Sequence, residues 1–204
     1  DLKRWQDIVL KVEKLRTESV LIPMIGKRRV RTYTLCVSSQ VGCAMGCTFC
    51  ETAQMGLIRS LSVEEIVQQW YAATHLLKHA EIPEPVITPQ GLEGPVRNIV
   101  FMGMGEPMDN LDNVLGAIDV LRDHRGPSIP ISKITISTVG RVDGIAQLAA
   151  RVRQDGWHRL NLAISLNAAD DTIRSGIMPV NRKWNLADLQ RALIEFPVYG
   201  GGKL

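Results

Sequence analysis

Short apolar segments alternate along most of the chain with longer segments in which apolar residues recur at helical spacing. The short segments predict strands at 32–39, 98–102, 133–138 and 160–166, and the periodic segments predict helices at 62–78, 110–122, 143–153 and 185–196. Ser62 with Glu65, and Asn185 with Asp188, have the spacing of helix N-terminal caps. The pattern therefore predicts a strand–helix unit that repeats along the chain.

Strands that alternate with helices, and whose apolar character is continuous, predict a parallel sheet covered by helices. About four β/α units are present, which is too few to close a barrel of eight. We predict an α/β fold of this kind, a partial (β/α) barrel over residues 32–204 that is incomplete at its C-terminal end. Residues 1–31 have a different pattern, because short strands at 8–12 and 18–25 predict a β extension before the core.

Composition and charge add few constraints to this picture. The chain has 204 residues, of which 45% are hydrophobic and 22% charged, as in ordinary globular proteins. It contains no apolar run of transmembrane length and no signal-peptide pattern, so we expect a cytoplasmic protein without a membrane partner. A net charge of +3 permits RNA binding without indicating it. Lys27, Arg28 and Arg29 are candidate RNA contacts, although a solvated hairpin tip explains them equally well.

All four cysteines lie between residues 36 and 50. In a reducing compartment, such clustering indicates metal binding or catalysis rather than disulfides. Cys43, Cys47 and Cys50 have the spacing C-x3-C-x2-C, and three thiolates on one loop can hold a four-iron cluster while one iron stays open to a substrate. A zinc site and a closed four-cysteine cluster are the alternatives. The spacing favours the open cluster over zinc, because Cys36 lies seven residues upstream within a predicted strand.

Several stretches of the chain together resemble the RlmN/Cfr family of radical-SAM RNA methyltransferases. Residues 43–50 match the radical S-adenosylmethionine signature C-x3-C-x-aromatic-C. The wider stretches "CVSSQVGCAMGCTFCETAQMG", "VFMGMGEPMDNLDNV", "ITISTVG" and "AISLNA" are similar to that family and follow in the same order. The resemblance implies methylation of adenine C2 in 23S rRNA, and in tRNA, through a methyl-cysteine intermediate. A Cfr-like adenine-C8 methyltransferase and a non-catalytic metal-cluster RNA-binding module are the alternatives.

The resemblance also implies which residues bind the cofactors. Cys43, Cys47 and Cys50 would ligate a 4Fe-4S cluster. S-adenosyl-L-methionine would be bound by residues that follow or end three predicted strands, namely Gly105, Glu106, Ser137, Ser165, Leu166 and Asn167. A carboxylate at a strand end can accept a hydrogen bond from an ammonium group, and glycine permits close approach to the backbone. Asn167 stands where the family commonly has His.

The resemblance also implies catalytic roles for two further residues. Cys36 would form a transient disulfide that resolves the protein–RNA adduct, and Glu18 would be a general base. No cysteine follows Cys50 in the chain, so the methyl-carrying thiol is missing from it. We therefore expect a fragment that does not complete turnover. The expected partners are RNA and an electron donor such as flavodoxin or ferredoxin, and the expected state is a monomer.

Overall fold

The computed structural model describes residues 15–25, 31–79 and 96–199. The predicted strand at 8–12 and the candidate RNA contacts Lys27, Arg28 and Arg29 lie outside the described residues.

Seven strands are found in the described ranges. They are β1 (Val20–Ile25), β2 (Arg31–Cys36), β3 (Gln40–Gly42), β4 (Leu57–Ser60), β5 (Val96–Phe101), β6 (Ile134–Thr138) and β7 (Asn161–Ile164). Five of them form one sheet in the order β1-β2-β5-β6-β7. The pairs β2–β5, β5–β6 and β6–β7 are parallel, whereas β1 lies antiparallel against β2 at the edge. Strands β3 and β4 form a separate antiparallel hairpin.

Helices connect the parallel strands. They are α1 (Glu51–Gln54), α2 (Val63–His79), α3 (Leu111–Arg122), α4 (Val142–Val152), α5 (Asp171–Ile177) and α6 (Leu186–Glu195). Short 3-10 helices lie at Pro107–Asn110, Ile131–Lys133 and Pro179–Arg182. In the described part of the chain, none of the helices has the length and apolar character needed to cross a membrane.

The predicted helix caps are confirmed. Before α2, the Ser62 amide donates to Glu65 Oε2 at 2.9 Å, and the Glu65 amide donates to Ser62 Oγ at 3.3 Å. Before α6, Asn185 and Asp188 exchange the same pair of bonds. Both helices therefore begin where the sequence pattern predicts, because the capping side chains satisfy amides that have no partner within the helix.

One face of the sheet packs on the helices. Its side chains are 2% exposed or less, and they are Leu35, Ile99, Phe101, Ile134, Ile136 and Leu162. The other face is less uniformly buried and mixes polar with apolar side chains, and it lines a cavity of about 900 Å³ whose residues include Thr34, Asn98, Val100 and Ile164. The strands are therefore buried on one side only, unlike the continuously apolar strands that we predicted. A barrel-type sheet explains this pattern, because the helices cover its outer face alone.

Candidate functional site

The cysteine loop begins directly after β3 and is closed by its own backbone. The Cys43 amide donates to the carbonyl of Gly56 at 3.0 Å, which joins the two ends of the loop. Cys50 is the N-cap residue of α1, and its amide donates to the carbonyl of Cys47 at 3.2 Å. Three thiols are therefore placed on one short, closed loop.

All four cysteines of the chain are free thiols. Burial raises the pKa of the Cys43 and Cys47 thiols, and negative charge on Glu106 and Cys50 raises it further. Thiolates crowded in this way need a cation to remain charged. The donor set therefore fits a positively charged metal centre such as an iron–sulfur cluster.

A single metal ion, such as zinc, is the alternative occupant of this loop. Within residues 15–25, 31–79 and 96–199, no three His, Cys, Asp or Glu side chains gather closely enough to hold one ion. All the ligands of a zinc ion must lie about 2.0 to 2.3 Å from it. The alternative of a zinc site therefore gains no support from this geometry.

A set of backbone contacts, which we call the glycine junction, joins residues 37–40 after β2 to residues 103–106 after β5. The Gly103 amide donates to the carbonyl of Val37 at 3.0 Å, and the Ser39 amide donates to the carbonyl of Met104 at 2.9 Å. The Met104 amide donates to Ser38 Oγ at 2.9 Å. The junction fixes the loop that leads into the cysteines against the end of the next strand.

The glycines make this close approach possible. A Cβ on Gly103 would lie 2.8 Å from the Val37 backbone, and one on Gly105 would lie 2.6 Å from Gln40 Cβ. Gly105 also has a φ of 96°, which side chains rarely tolerate. We interpreted Gly105 as room for a ligand, whereas the atoms that fill this space belong to Gln40. Binding of S-adenosylmethionine by Gly105 stays a prediction.

Glu106 is 1% exposed and connects two strand ends. Its Oε1 accepts from the Met108 amide at 3.1 Å, and its Oε2 accepts from the Val139 amide at 3.0 Å, just after β6. Burial raises the pKa of this carboxyl, and the two amides oppose that shift. The Thr138 side chain also hydrogen-bonds to this carboxylate, and the predicted contact with an ammonium group stays a prediction.

The other predicted cofactor residues lie at the same edge of the sheet. Ser137 lies on β6 and Ser165 directly follows the neighbouring strand β7, and their Oγ atoms are 3.4 Å apart. Leu166 is 45% exposed. Asn167 has a φ of 58°, a conformation that Asn tolerates better than most residues, and its Nδ2 donates to Met178 Sδ at 3.4 Å. The fold thus brings Ser137 and Ser165 close together, and Leu166 and Asn167 directly follow Ser165 in the chain.

The two predicted catalytic residues lie at the ends of the first strand pair, Cys36 as the last residue of β2 and Glu18 two residues before β1. Cys36 ends β2, pairs in register with Val20, and has a thiol whose pKa is raised by burial. Glu18 is exposed, and its carbonyl accepts from Ser38 Oγ at 2.7 Å. The backbone of Glu18 therefore lies beside a residue only two positions after Cys36.

Sequence reasoning missed three buried polar residues that build this edge. Gln40 accepts from the Glu106 amide at 3.0 Å, and Gln69 bonds to both backbone groups of Ser38. Arg174 is fully buried and bonds to the loops after β6 and β7. Charged and amide side chains are expected at the surface, so the sequence contains no signal for these roles.

Comparisons with known proteins identify similar chains. No family model matches the chain. The chain is 42% identical over 189 residues to the probable dual-specificity RNA methyltransferase RlmN 1 of Protochlamydia amoebophila, covering 93% of this chain and 46% of that protein. It is 47% identical over 181 residues to the dual-specificity RNA methyltransferase RlmN of Geotalea uraniireducens, covering 89% of this chain and 45% of that protein.

A solved structure is also similar. The crystal structure of a radical SAM methyltransferase from Sphaerobacter thermophilus matches with a TM-score of 0.71 at 35% identity, over 88% of this chain and 48% of that one. The resemblance to the RlmN/Cfr family and the radical-SAM type of α/β fold are thereby confirmed. The chain spans about half the length of the curated relatives that it matches.

Proposed function

We propose that this chain is the cofactor-binding core of a radical S-adenosylmethionine RNA methyltransferase that acts on adenine C2 in 23S rRNA and in tRNA. The observation that carries the proposal is the loop with three free thiols, which follows β3, the strand whose Gln40 accepts from the Glu106 amide at the carboxyl edge of a parallel sheet. The curated relatives are named as dual-specificity RNA methyltransferases, which supports RNA as the substrate.

Each group of residues would have its own role. The thiolates of Cys43, Cys47 and Cys50 would hold a 4Fe-4S cluster, and the edge formed by Ser137 and Ser165 would hold S-adenosylmethionine. When bound, the cluster and S-adenosylmethionine supply the radical chemistry that an adenine C2–H bond requires, since this bond is neither acidic nor nucleophilic. Glu106 connects the segments that follow β5 and β6 through its two carboxylate oxygens.

Cys36 and Glu18 would act on the RNA side of the reaction. Burial raises the pKa of the Cys36 thiol, so it is protonated at neutral pH. Its expected role is to attack, as the thiolate, the sulfur that links the protein to the RNA adduct, so that an S–S bond forms as the bond between that sulfur and the adduct carbon breaks. Glu18 is exposed beside Ser38, so its carboxylate is accessible to a bound nucleotide as a general base. An electron donor such as flavodoxin or ferredoxin, a monomeric state and a cytoplasmic location complete the proposal.

Anaerobic reconstitution tests the cofactor assignment. The chain is loaded with iron and sulfide, then incubated with dithionite and S-adenosylmethionine, and 5'-deoxyadenosine is measured. We expect product from the parent chain and from Cys36→Ala, and none from Cys47→Ala, because only the second variant loses a cluster ligand. A chain that binds zinc and shows no thiolate–iron absorption would contradict the enzyme assignment.

The methylation step has a separate test. The four cysteines of the chain all lie between residues 36 and 50, so the methyl-carrying thiol of the family is not among these 204 residues. We expect the chain alone to form 5'-deoxyadenosine without methylating RNA, and methylated adenine from this chain would contradict that expectation. In a longer protein that supplies the thiol, mass spectrometry of digested RNA distinguishes 2-methyladenine from the Cfr-like product, 8-methyladenine.

A further inference from the structure

Arg174, on α5, is the largest fully buried side chain in the described residues. Its guanidinium donates through Nε to the carbonyl of Leu166 at 3.0 Å and through Nη2 to the carbonyl of Val139 at 2.6 Å. Nη1 donates to Asn181 Oδ1 at 2.5 Å. We call this set of contacts the arginine junction, because it joins the loops after β6 and β7.

The three acceptors in the arginine junction are all neutral. Among the described residues, no carboxylate forms an ion pair with Arg174. The carboxylate whose charge acts on Arg174 is Asp171, whose Oδ1 already accepts from Asn181 Nδ2 and from the Leu186 amide, both at 2.9 Å. A buried guanidinium without an ion-pair partner is costly, and a negative group close to it would offset part of that cost.

The cysteine loop is packed against the end of the same helix. The Thr48 amide donates to the carbonyl of Ile177 at 3.0 Å, and Met178 packs against Cys47 in a small apolar cluster. The Met178 amide in turn donates to the carbonyl of Arg174 at 2.7 Å. Val139, whose carbonyl accepts from Arg174 Nη2, packs against the same apolar cluster as Cys47.

We propose that Arg174 is a positioning residue that places a permanent positive charge beside the thiolate loop and holds the loops after β6 and β7 against it. This inference rests on the proposed function. A four-iron cluster held by three thiolates carries net negative charge, and reduction makes it more negative. Arg174 therefore favours the reduced cluster, which is the state from which S-adenosylmethionine is cleaved.

The test compares reduction potentials of the reconstituted cluster in three variants. Arg174→Gln removes the charge, and Arg174→Lys keeps it. Arg182→Gln removes an exposed arginine from the next 3-10 segment as a matched control. The potential is measured by a dithionite titration followed by electron paramagnetic resonance, which does not depend on turnover.

We expect Arg174→Gln to lower the equilibrium constant for one-electron reduction about tenfold, a shift of about 59 mV to more negative potential. Arg174→Lys and Arg182→Gln are expected to stay close to the parent. An unchanged potential in Arg174→Gln, with iron retained, would overturn the proposal.

Loss of iron is also informative. If Arg174→Gln loses the cluster while Arg174→Lys keeps it at the parent potential, the charge is required and the proposal stands. If both variants lose it, the hydrogen bonds alone explain the residue and the proposal is wrong. A parent chain that binds no cluster would instead overturn the proposed function, so the two failures are distinguishable.

Discussion

The glycine junction and the arginine junction lie at the same edge of the sheet but are built by opposite means. The glycine junction joins the loops after β2 and β5 mainly through backbone groups, and a Cβ on Gly103 or Gly105 would collide with its neighbours. The arginine junction joins the loops after β6 and β7 through one long side chain, Arg174. A larger side chain should therefore destabilise the glycine junction, and the loss of side-chain atoms should destabilise the arginine junction.

A single carboxylate connects the two junctions. The Glu106 amide donates to Gln40 in the glycine junction, and Glu106 Oε2 accepts from the Val139 amide. The carbonyl of Val139 then accepts from Arg174 Nη2. A continuous series of bonds thus runs along the edge where the cofactor residues lie, and it makes the relative positions of the four strand ends depend on one another.

The largest expected effect comes from adding an atom to the glycine junction. Gly105→Ala would place a Cβ 2.6 Å from Gln40 Cβ at a φ of 96°. Strain and overpacking together should lower the free energy of unfolding by about 3 kcal/mol. Urea denaturation measures the change.

A matched control for this change lies in α5. A Cβ added to Gly176 would meet no atom within 4 Å, and the residue lies inside the helix. Gly176→Ala should therefore raise the free energy of unfolding by about 0.5 to 1 kcal/mol. If both substitutions changed the free energy of unfolding by the same amount, the close contact between Gly105 and Gln40 would not be the cause of the change.

Removing a side chain should be the more damaging change at the arginine junction. Asn181 is 2% exposed, and Asn181→Leu would leave Arg174 Nη1 without its acceptor. Loss of a buried bond to a charged group should cost about 2.5 kcal/mol in unfolding free energy. Arg182→Ala, at the exposed neighbouring position, should change the free energy of unfolding by less than about 0.5 kcal/mol. If Asn181→Leu lost no more stability than Arg182→Ala, the arginine junction would not stabilise the fold.

The side chain of Gln69 also supports the glycine junction. Its removal tests whether the backbone hydrogen bonds hold the junction without it. Gln69 accepts from the Ser38 amide at 2.8 Å and donates to the carbonyl of Ser38 at 2.9 Å. Gln69→Leu would leave both groups buried without partners, at a cost of about 2 kcal/mol. Gln68→Leu, at the exposed neighbouring position, is the control. If thermal unfolding of the two variants coincides, the backbone contacts hold the junction alone.

The smallest effect is expected outside both junctions, at the pair that joins β4 to α2. Hydrogen bonds from Arg59 and the Ser62 amide lower the pKa of Glu65 from 4.5 to about 2. Since the folded-state pKa is the lower one, the stabilisation is complete above pH 4.5 and is lost as the pH falls through about 2. Both side chains of the pair are about one-third exposed or more, so Glu65→Gln should cost less than about 1 kcal/mol at neutral pH.

Unfolding at pH 7 and pH 3 tests this pair. The parent should lose more stability than Glu65→Gln between these values, because the variant has no carboxylate to protonate. Arg59→Gln should cost a similar amount at pH 7, and the double variant should cost little more than either alone. Additive losses would show that the two side chains act independently.

The sequence predicted the long elements of this fold well. The parallel strands β2, β5, β6 and β7 and the helices α2, α3, α4 and α6 all occur close to their predicted positions. The β3–β4 hairpin, α1 and α5 were missed. These elements are three to seven residues long, so they contain too few repeats for a periodic pattern to emerge.

The candidate site was predictable in its parts but not in its contacts. The spacing of Cys43, Cys47 and Cys50, and the position of Ser137 and Ser165 at strand ends, follow from local sequence. Parallel strands bring their carboxyl ends to one edge, so the predicted residues meet there. The sequence could not show that Gln40 fills the space beside Gly105, because that depends on how closely two loops approach each other.

The sequence by itself determined that three thiols share one loop and that polar residues follow the parallel strands, because spacing and periodicity are local properties. Only the tertiary structure decided which groups face each other across loops. Glu106 meets Val139 at a separation of 33 residues, and Arg174 meets Val139 at a separation of 35. Such pairings arise from the packing of α5 and the strand ends, where a buried charge is tolerated only if the fold surrounds it with acceptors.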